Sequence, residues 1–192
     1  MSRKVRHVPV LLDAQGIAHL PAQEIAIILR GADELIMRGG RSLLAKVLKG
    51  SREKKLQDLS LDQSPAFGAL RTLSLQQILS RIDWLIINNY FAIEYDYRLP
   101  LLAYTPRGWE IEKKTYAAEL QRKLDHLIAS GDSAPDLAWL NDSHREVLIH
   151  LLDRIEVSGD RKYIPALENW SQSAVKKIRS KIRGVVENLL RD

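Results

Sequence analysis

A chain of 192 residues with 45% apolar content can bury a real core, as one ordinary domain or two small ones, and is not a disordered chain. The absence of cysteine excludes disulfides, thiolate catalysis and cysteine-containing zinc sites, and it fits a reducing, cytoplasmic setting. The net charge of +5 and pI near 9.4 are moderate, but the entire excess lies in residues 1–60, with 11 Lys/Arg against 6 Asp/Glu.

The apolar stretch Val8 to Leu12 is too short for a signal peptide, and no run approaches the ~20 apolar residues of a membrane helix. Residues 8–20 read as a short strand or hairpin turning at Asp13-Ala-Gln-Gly16. A first helix is predicted from Pro21, with Ile25, Ile28, Leu29, Leu35 and Ile36 on one face and Gly39-Gly40 as its end. A second runs from about Ser42, carries Leu43, Leu44, Val47 and Leu48, and stops at Gly50. A short third piece, Ser51 to Leu59, carries a basic run, and residues 60–73 read as a loop.

Ser74 with Gln77 three residues on is a capping box, followed by an apolar stripe of Ile78, Leu79, Ile82, Leu85 and Ile86. The period then changes from helix to strand. Phe91, Ile93 and Tyr95 alternate with Ala92 and Glu94, residues 96–100 turn, and Leu101 to Thr105 returns as a second strand.

Beyond Gly108 every pattern is helical, through Trp109–Ser130, Val147–Ile155, Tyr163–Trp170 and Val175–Leu189. Gly131-Asp-Ser-Ala-Pro135 is the best linker. The expected fold is mainly α: a winged helix-turn-helix of three helices plus a β-hairpin wing, then an α-helical, HEAT-like C-terminal region. The expected boundaries are 1–108 for the winged helix with its N-terminal extension, 109–134 for a connecting helix and linker, and 135–192 for the HEAT-like helices.

Three stretches resemble the RQC domain, the winged helix of RecQ-type superfamily II DNA helicases. Leu44-Ala-Lys-Val-Leu-Lys-Gly-Ser51 resembles its helix ending in Leu-Arg-Gly-Ser. Phe67-Gly-Ala-Leu70 resembles its Tyr-Gly-Ile-Gly loop, and Leu101-Leu-Ala-Tyr-Thr-Pro-Arg-Gly108 its second wing strand with Leu-Thr-x-x-Gly. Together with Leu35–Lys46 and Ile93–Leu102, the pattern looks most like a bacterial subgroup of free-standing RQC proteins labelled RQC-minor DNA-binding proteins. The departures are the lack of any Gly-x-x-x-x-Gly-Lys-Ser/Thr loop to cradle ATP phosphates, and Lys49 where the family has arginine. The resemblance therefore implies binding without an ATPase, and the expectation is a non-enzymatic protein with no cofactor and no metal.

Between residues 38 and 55, Arg38, Arg41, Lys46, Lys49, Arg52, Lys54 and Lys55 are accompanied only by Glu53, the charge pattern of a phosphate-backbone binder or of a solvated helix face. The resemblance implies that Lys49, Ser51 and Arg52 contact phosphates, Ser51 through its hydroxyl and backbone N–H, with Lys54 and Lys55 extending the patch. It also implies an aromatic at the wing tip that stacks on a terminal base pair, which points to Tyr97 with Arg98 beside it. On the last helix Lys176, Lys177, Arg179, Lys181 and Arg183 form either a second contact or a plain solvated face.

The five histidines show no metal spacing, and no acid or serine has a catalytic partner in the sequence. The leading expectation is DNA binding at duplex ends, forks or junctions. Structured RNA, a protein–protein adaptor role and service to a separate helicase motor stay open as alternatives.

Overall fold

The computed structural model describes residues 7–131 and 134–191, so Asp132 and Ser133 of the expected linker lie outside the described residues. The chain divides into two compact units, 1–112 and 113–192. The first contains helices α1 (Ala22–Ala32), α2 (Arg41–Lys49), α3 (Lys54–Asp58) and α4 (Leu75–Ile87), then strands β1 (Phe91–Asp96) and β2 (Leu99–Tyr104). Helix α5 (Pro106–Ala129) begins in it and continues into the second unit. The second unit adds α6 (Arg145–Ser158), α7 (Ile164–Ser173) and α8 (Lys176–Arg191). The fold is mainly helical, with one antiparallel hairpin: a winged helix followed by a helical C-terminal region.

The core of the first unit is the sum of the predicted apolar stripes. Ile25, Ile28 and Leu29 of α1, Leu44, Val47 and Leu48 of α2, and Ile78, Ile82 and Leu85 of α4 are all buried, with Phe91 and Leu102 of the hairpin closing one side. The α4 start is held as its sequence predicts. The Ser74 hydroxyl accepts from the Gln77 N–H, and the Gln77 side chain accepts from the Ser74 N–H at 2.8 Å.

Helix α2 ends at Gly50, whose φ of 74° is the left-handed conformation that a helix stop of this kind requires. A Cβ at Gly50 would lie 3.0 Å from the Cα of Gly68, so the chain crosses itself where two glycines meet. The N–H groups of Gly68 and Leu70 donate to the Val47 and Leu48 carbonyls at the end of α2, both at 2.9 Å. Two of the three resembling stretches thus close on each other and satisfy the helix terminus.

Three expectations are corrected. Residues 8–20 form no strand. They run as an irregular strap with one turn at Gln15-Gly16, because the Asp13 carboxylate takes the Gln15 N–H and the Asp13 N–H is taken by Asp83 of α4. Helix α1 stops at Ala32 rather than at Gly39. Leu35 is buried as its spacing predicted, but a 3-10 turn and a left-handed Met37 (φ 57°) bend the chain so that 37–39 can reach β2. There the Met37 N–H donates to the Leu102 carbonyl and the Leu102 N–H to the Gly39 carbonyl, each at 2.9 Å, which covers the outer edge of the hairpin.

The wing turn is also shorter than residues 96–100. Leu99 and Pro100 belong to β2, paired with Asp96 and Tyr95, and only Tyr97-Arg98 turn. Proline is tolerated because Leu102, of the same parity, directs its N–H and carbonyl toward 37–39. The missing Pro100 N–H therefore faces that side, and no β1–β2 hydrogen bond is lost.

In the second unit, Val147, Leu148, Leu151, Leu152 and Ile155 of α6 form the core with Leu167 and Trp170 of α7 and Ile178, Ile182, Val185 and Leu189 of α8. Gly159, at φ 64°, ends α6. The Trp170 indole N–H is satisfied by the Asn141 side chain at 3.1 Å.

Candidate nucleic-acid interface

The basic residues of 38–55 sort into those held by the fold and those left to solvent. Arg41 donates to both oxygens of the buried Asp83 carboxylate and so anchors α2 to α4; its side chain is 27% exposed and that of Asp83 4%. Lys46 pairs with Glu53 at 2.7 Å. The Lys49 ammonium donates to the Arg71 and Leu73 carbonyls at 2.7 and 2.8 Å, tying the end of α2 to the segment that leads into α4. A lysine suits that task, since a point charge with three donors reaches two separate carbonyls without the planar fork of arginine.

Of the two Ser51 groups that the resemblance implied for phosphate, hydroxyl and N–H, the fold takes up the N–H. The Ser51 N–H donates to the Lys46 carbonyl at 3.0 Å as part of the α2 stop, and the hydroxyl accepts weakly from the Glu53 N–H at 3.4 Å. The residue preceding the first turn of α3 is Glu53 rather than Ser51.

Arg38, Arg52, Lys54 and Lys55 are exposed, and among the described residues no carboxylate lies within ion-pair distance of their side chains. Arg38 and Lys55 line one groove of about 460 Å³, bounded by the strap at Val8–Val10, the start of α2 and strand β2. Sequence reasoning missed this groove. Its signal, the apolar run Val8 to Leu12, reads equally well as a strand.

Tyr97 stands at the wing tip, 72% exposed, with the left-handed φ of 52° that the first residue of a tight hairpin turn adopts. Arg98 is exposed beside it. Tyr95 is occupied otherwise: its hydroxyl donates to the Val8 carbonyl at 3.0 Å and its ring stacks on His7 with centroids 4.2 Å apart. Most of the remaining aromatics near the wing are structural. Tyr90 and Phe91 are buried. Burial pushes the Tyr104 phenol far above its ordinary pKa, the carboxylates of Glu112 and Asp33 adding to the effect, and it donates to the Leu29 carbonyl at 2.8 Å.

The basic face of α8 is smaller than its sequence suggests. Lys181 lies between Asp153 at 2.7 Å and Glu156 at 2.8 Å. Burial opposes its charge, but the hydrogen bonds to these two carboxylates outweigh it and hold its pKa above the usual lysine range. Arg179 donates to the Ala174 carbonyl at 2.9 Å. Lys176, Lys177 and Arg183 remain exposed.

The third resembling stretch has a local physical basis as well. The Thr105 hydroxyl lies 2.6 and 3.0 Å from the Asn89 and Tyr90 carbonyls and accepts the Gly108 N–H at 3.1 Å, so it locks the start of β1 to the first turn of α5. Gly108 is pressed against the Tyr90 carbonyl so closely that no side chain fits.

Comparison with known families finds the RQC domain over residues 21–127, more than half of the chain. No curated protein and no solved structure matches it. RQC domains are winged-helix domains of RecQ helicases, non-catalytic themselves and generally nucleic-acid binding. With its three-helix core, its β-hairpin wing and that match, the chain belongs to the RQC family.

Proposed function

We propose that this RQC protein binds DNA at duplex ends, forks or junctions, without catalysing a reaction. The observation that carries the proposal is the pairing of a solvent-facing cation cluster with an exposed aromatic on one winged-helix unit. Arg38, Arg52, Lys54 and Lys55 keep their charges unneutralised by the fold, and Tyr97 protrudes from the wing. Cations of this kind attract phosphates whatever the base sequence, so they supply affinity and register. Arg41, Lys46 and Lys49 act behind them, fixing α2, which the cluster flanks at both ends, and Ser51 shapes the stop of that helix.

Tyr97 supplies the preference for an end. A non-glycine residue at positive φ is uncommon, and a bulky one costs about 1 kcal/mol or more. With most of its ring in solvent, Tyr97 repays little of that in the free protein. A terminal or unpaired base offers a face on which the ring stacks, worth ~1–3 kcal/mol. The exposed Lys176, Lys177 and Arg183 of α8 are a further set of cations available to nucleic acid.

Fluorescence anisotropy with a forked and a blunt DNA duplex of equal length tests this. The native protein is expected to prefer the fork, and Tyr97→Ala to lose that preference by roughly tenfold while retaining most of its affinity for the blunt duplex. Equal binding of fork and blunt end by the native protein, or an unchanged preference in Tyr97→Ala, contradicts the role given to the wing tip.

A further inference from the structure

The groove beside the wing has lining of two unlike kinds. Val8 and Val10 of the strap and Ile93 of the hairpin give it aliphatic lining, Arg38 and Lys55 give it cationic lining, and Leu99 and Leu101, which alternate to the hairpin face opposite Ile93, border it along β2. The paired cations Arg41 and Lys46 line it too, but Asp83 and Glu53 neutralise them. Two close approaches fix the elements that border the groove. Gly40 packs against β2 so tightly that a Cβ there would lie 2.9 Å from the Pro100 carbonyl oxygen, and the Val8 N–H donates to the Arg98 carbonyl at 3.3 Å, which keeps the strap along the hairpin.

A lining that combines aliphatic side chains with unneutralised cations suits a ligand with one apolar face and one anionic group. At about 460 Å³ the groove is in the size range of small-ligand sites, right for a nucleotide and far too small for a duplex. It also continues from the wing tip: Leu99, exposed and lining the groove, is two residues from Tyr97. A strand peeled from a duplex end at Tyr97 would meet Leu99 next.

We propose that this groove holds an unpaired nucleotide of single-stranded tail, its base against the aliphatic lining of Val8, Val10 and Ile93 and its phosphate drawn by Arg38 and Lys55. The inference rests on the duplex-end reading above and extends it from the wing tip to the strand leaving it. Apolar contact with a base face carries no hydrogen-bond code, so the groove accepts any base. Its role is to keep a frayed end from re-pairing after the tip has engaged it.

The test compares blunt DNA duplexes with the same duplexes bearing a short thymidine tail on either the 3′ or the 5′ strand. One of the two tails is expected to raise the affinity of the native protein by about tenfold. Val10→Trp, which fills the groove from the irregular strap, is expected to bring that ratio to about one and leave blunt-duplex binding unchanged. As a second readout on the native protein, 2-aminopurine in the first unpaired position is expected to change its fluorescence on binding, whereas the same probe inside the duplex does not. Equal affinity for blunt and both tailed duplexes, or an undiminished tail effect in Val10→Trp, overturns the groove assignment and leaves duplex binding standing. No binding to any of these DNAs overturns both readings.

Discussion

Gly108→Ala is expected to destabilise the winged helix by about 3 kcal/mol or more, a large share of the stability of an ordinary domain. A Cβ at this position would lie 2.0 Å from the Tyr90 carbonyl oxygen and 3.0 Å from its carbon. Neither partner is free to retreat. The Tyr90 carbonyl accepts the Thr105 N–H at 3.2 Å and lies 3.0 Å from the Thr105 hydroxyl, and Gly108 is bound to that same hydroxyl through its N–H. The start of α5 would have to move off the hairpin and break the Thr105 junction. Urea denaturation followed by circular dichroism measures the effect; a loss below about 1 kcal/mol would mean that the junction yields far more easily than its hydrogen bonds imply.

The second large effect is expected at Asp83, a residue of the core helix rather than of the surface. Asp83→Ala leaves the partly buried Arg41 side chain without its counter-charge and the Asp13 N–H without its acceptor. Breaking one side of such a pair typically costs about 3–5 kcal/mol, most of it the burden of an uncompensated charge. The Arg41→Met/Asp83→Leu double variant removes both charges and is expected to recover most of the loss. Denaturation midpoints of the three proteins decide this, and hydrogen exchange near Asp13 is expected to quicken in Asp83→Ala. Equal destabilisation in the single and double variants would show that packing, not charge, dominates at this site. Either way, lost DNA binding in an Arg41 variant has to be interpreted together with its stability.

How much of this was legible in the sequence depends on the range of the interaction. The Ser74/Gln77 capping box is local, with donor, acceptor and spacing all written within four residues, and it is present as predicted. The helix stripes and the strand alternation of Phe91 to Tyr95 are also local, and they were sufficient for the winged helix. The fates of the basic residues were not local. Arg41 meets a carboxylate 42 positions away, and Lys49 binds two backbone carbonyls 22 and 24 positions on. A carbonyl has no side-chain signature, so nothing in the sequence separates Lys49 from Lys54. The groove was invisible for the same reason, since its walls come from residues 8–10, 38–55 and 93–102. Helix α1 was overextended because a 3-10 turn buries Leu35 as well as a continued helix would.

The most direct test of the central claim is the salt dependence of duplex-DNA binding. If Arg38, Arg52, Lys54 and Lys55 each displace a counterion, the slope of log affinity against log salt is about −3 to −4, and affinity falls on the order of a hundredfold between 50 and 200 mM salt. Arg52→Ala/Lys54→Ala is expected to weaken binding and reduce the magnitude of that slope by about two. Binding that survives high salt unchanged, or a slope unaltered in the double variant, would contradict nucleic-acid recognition by this face.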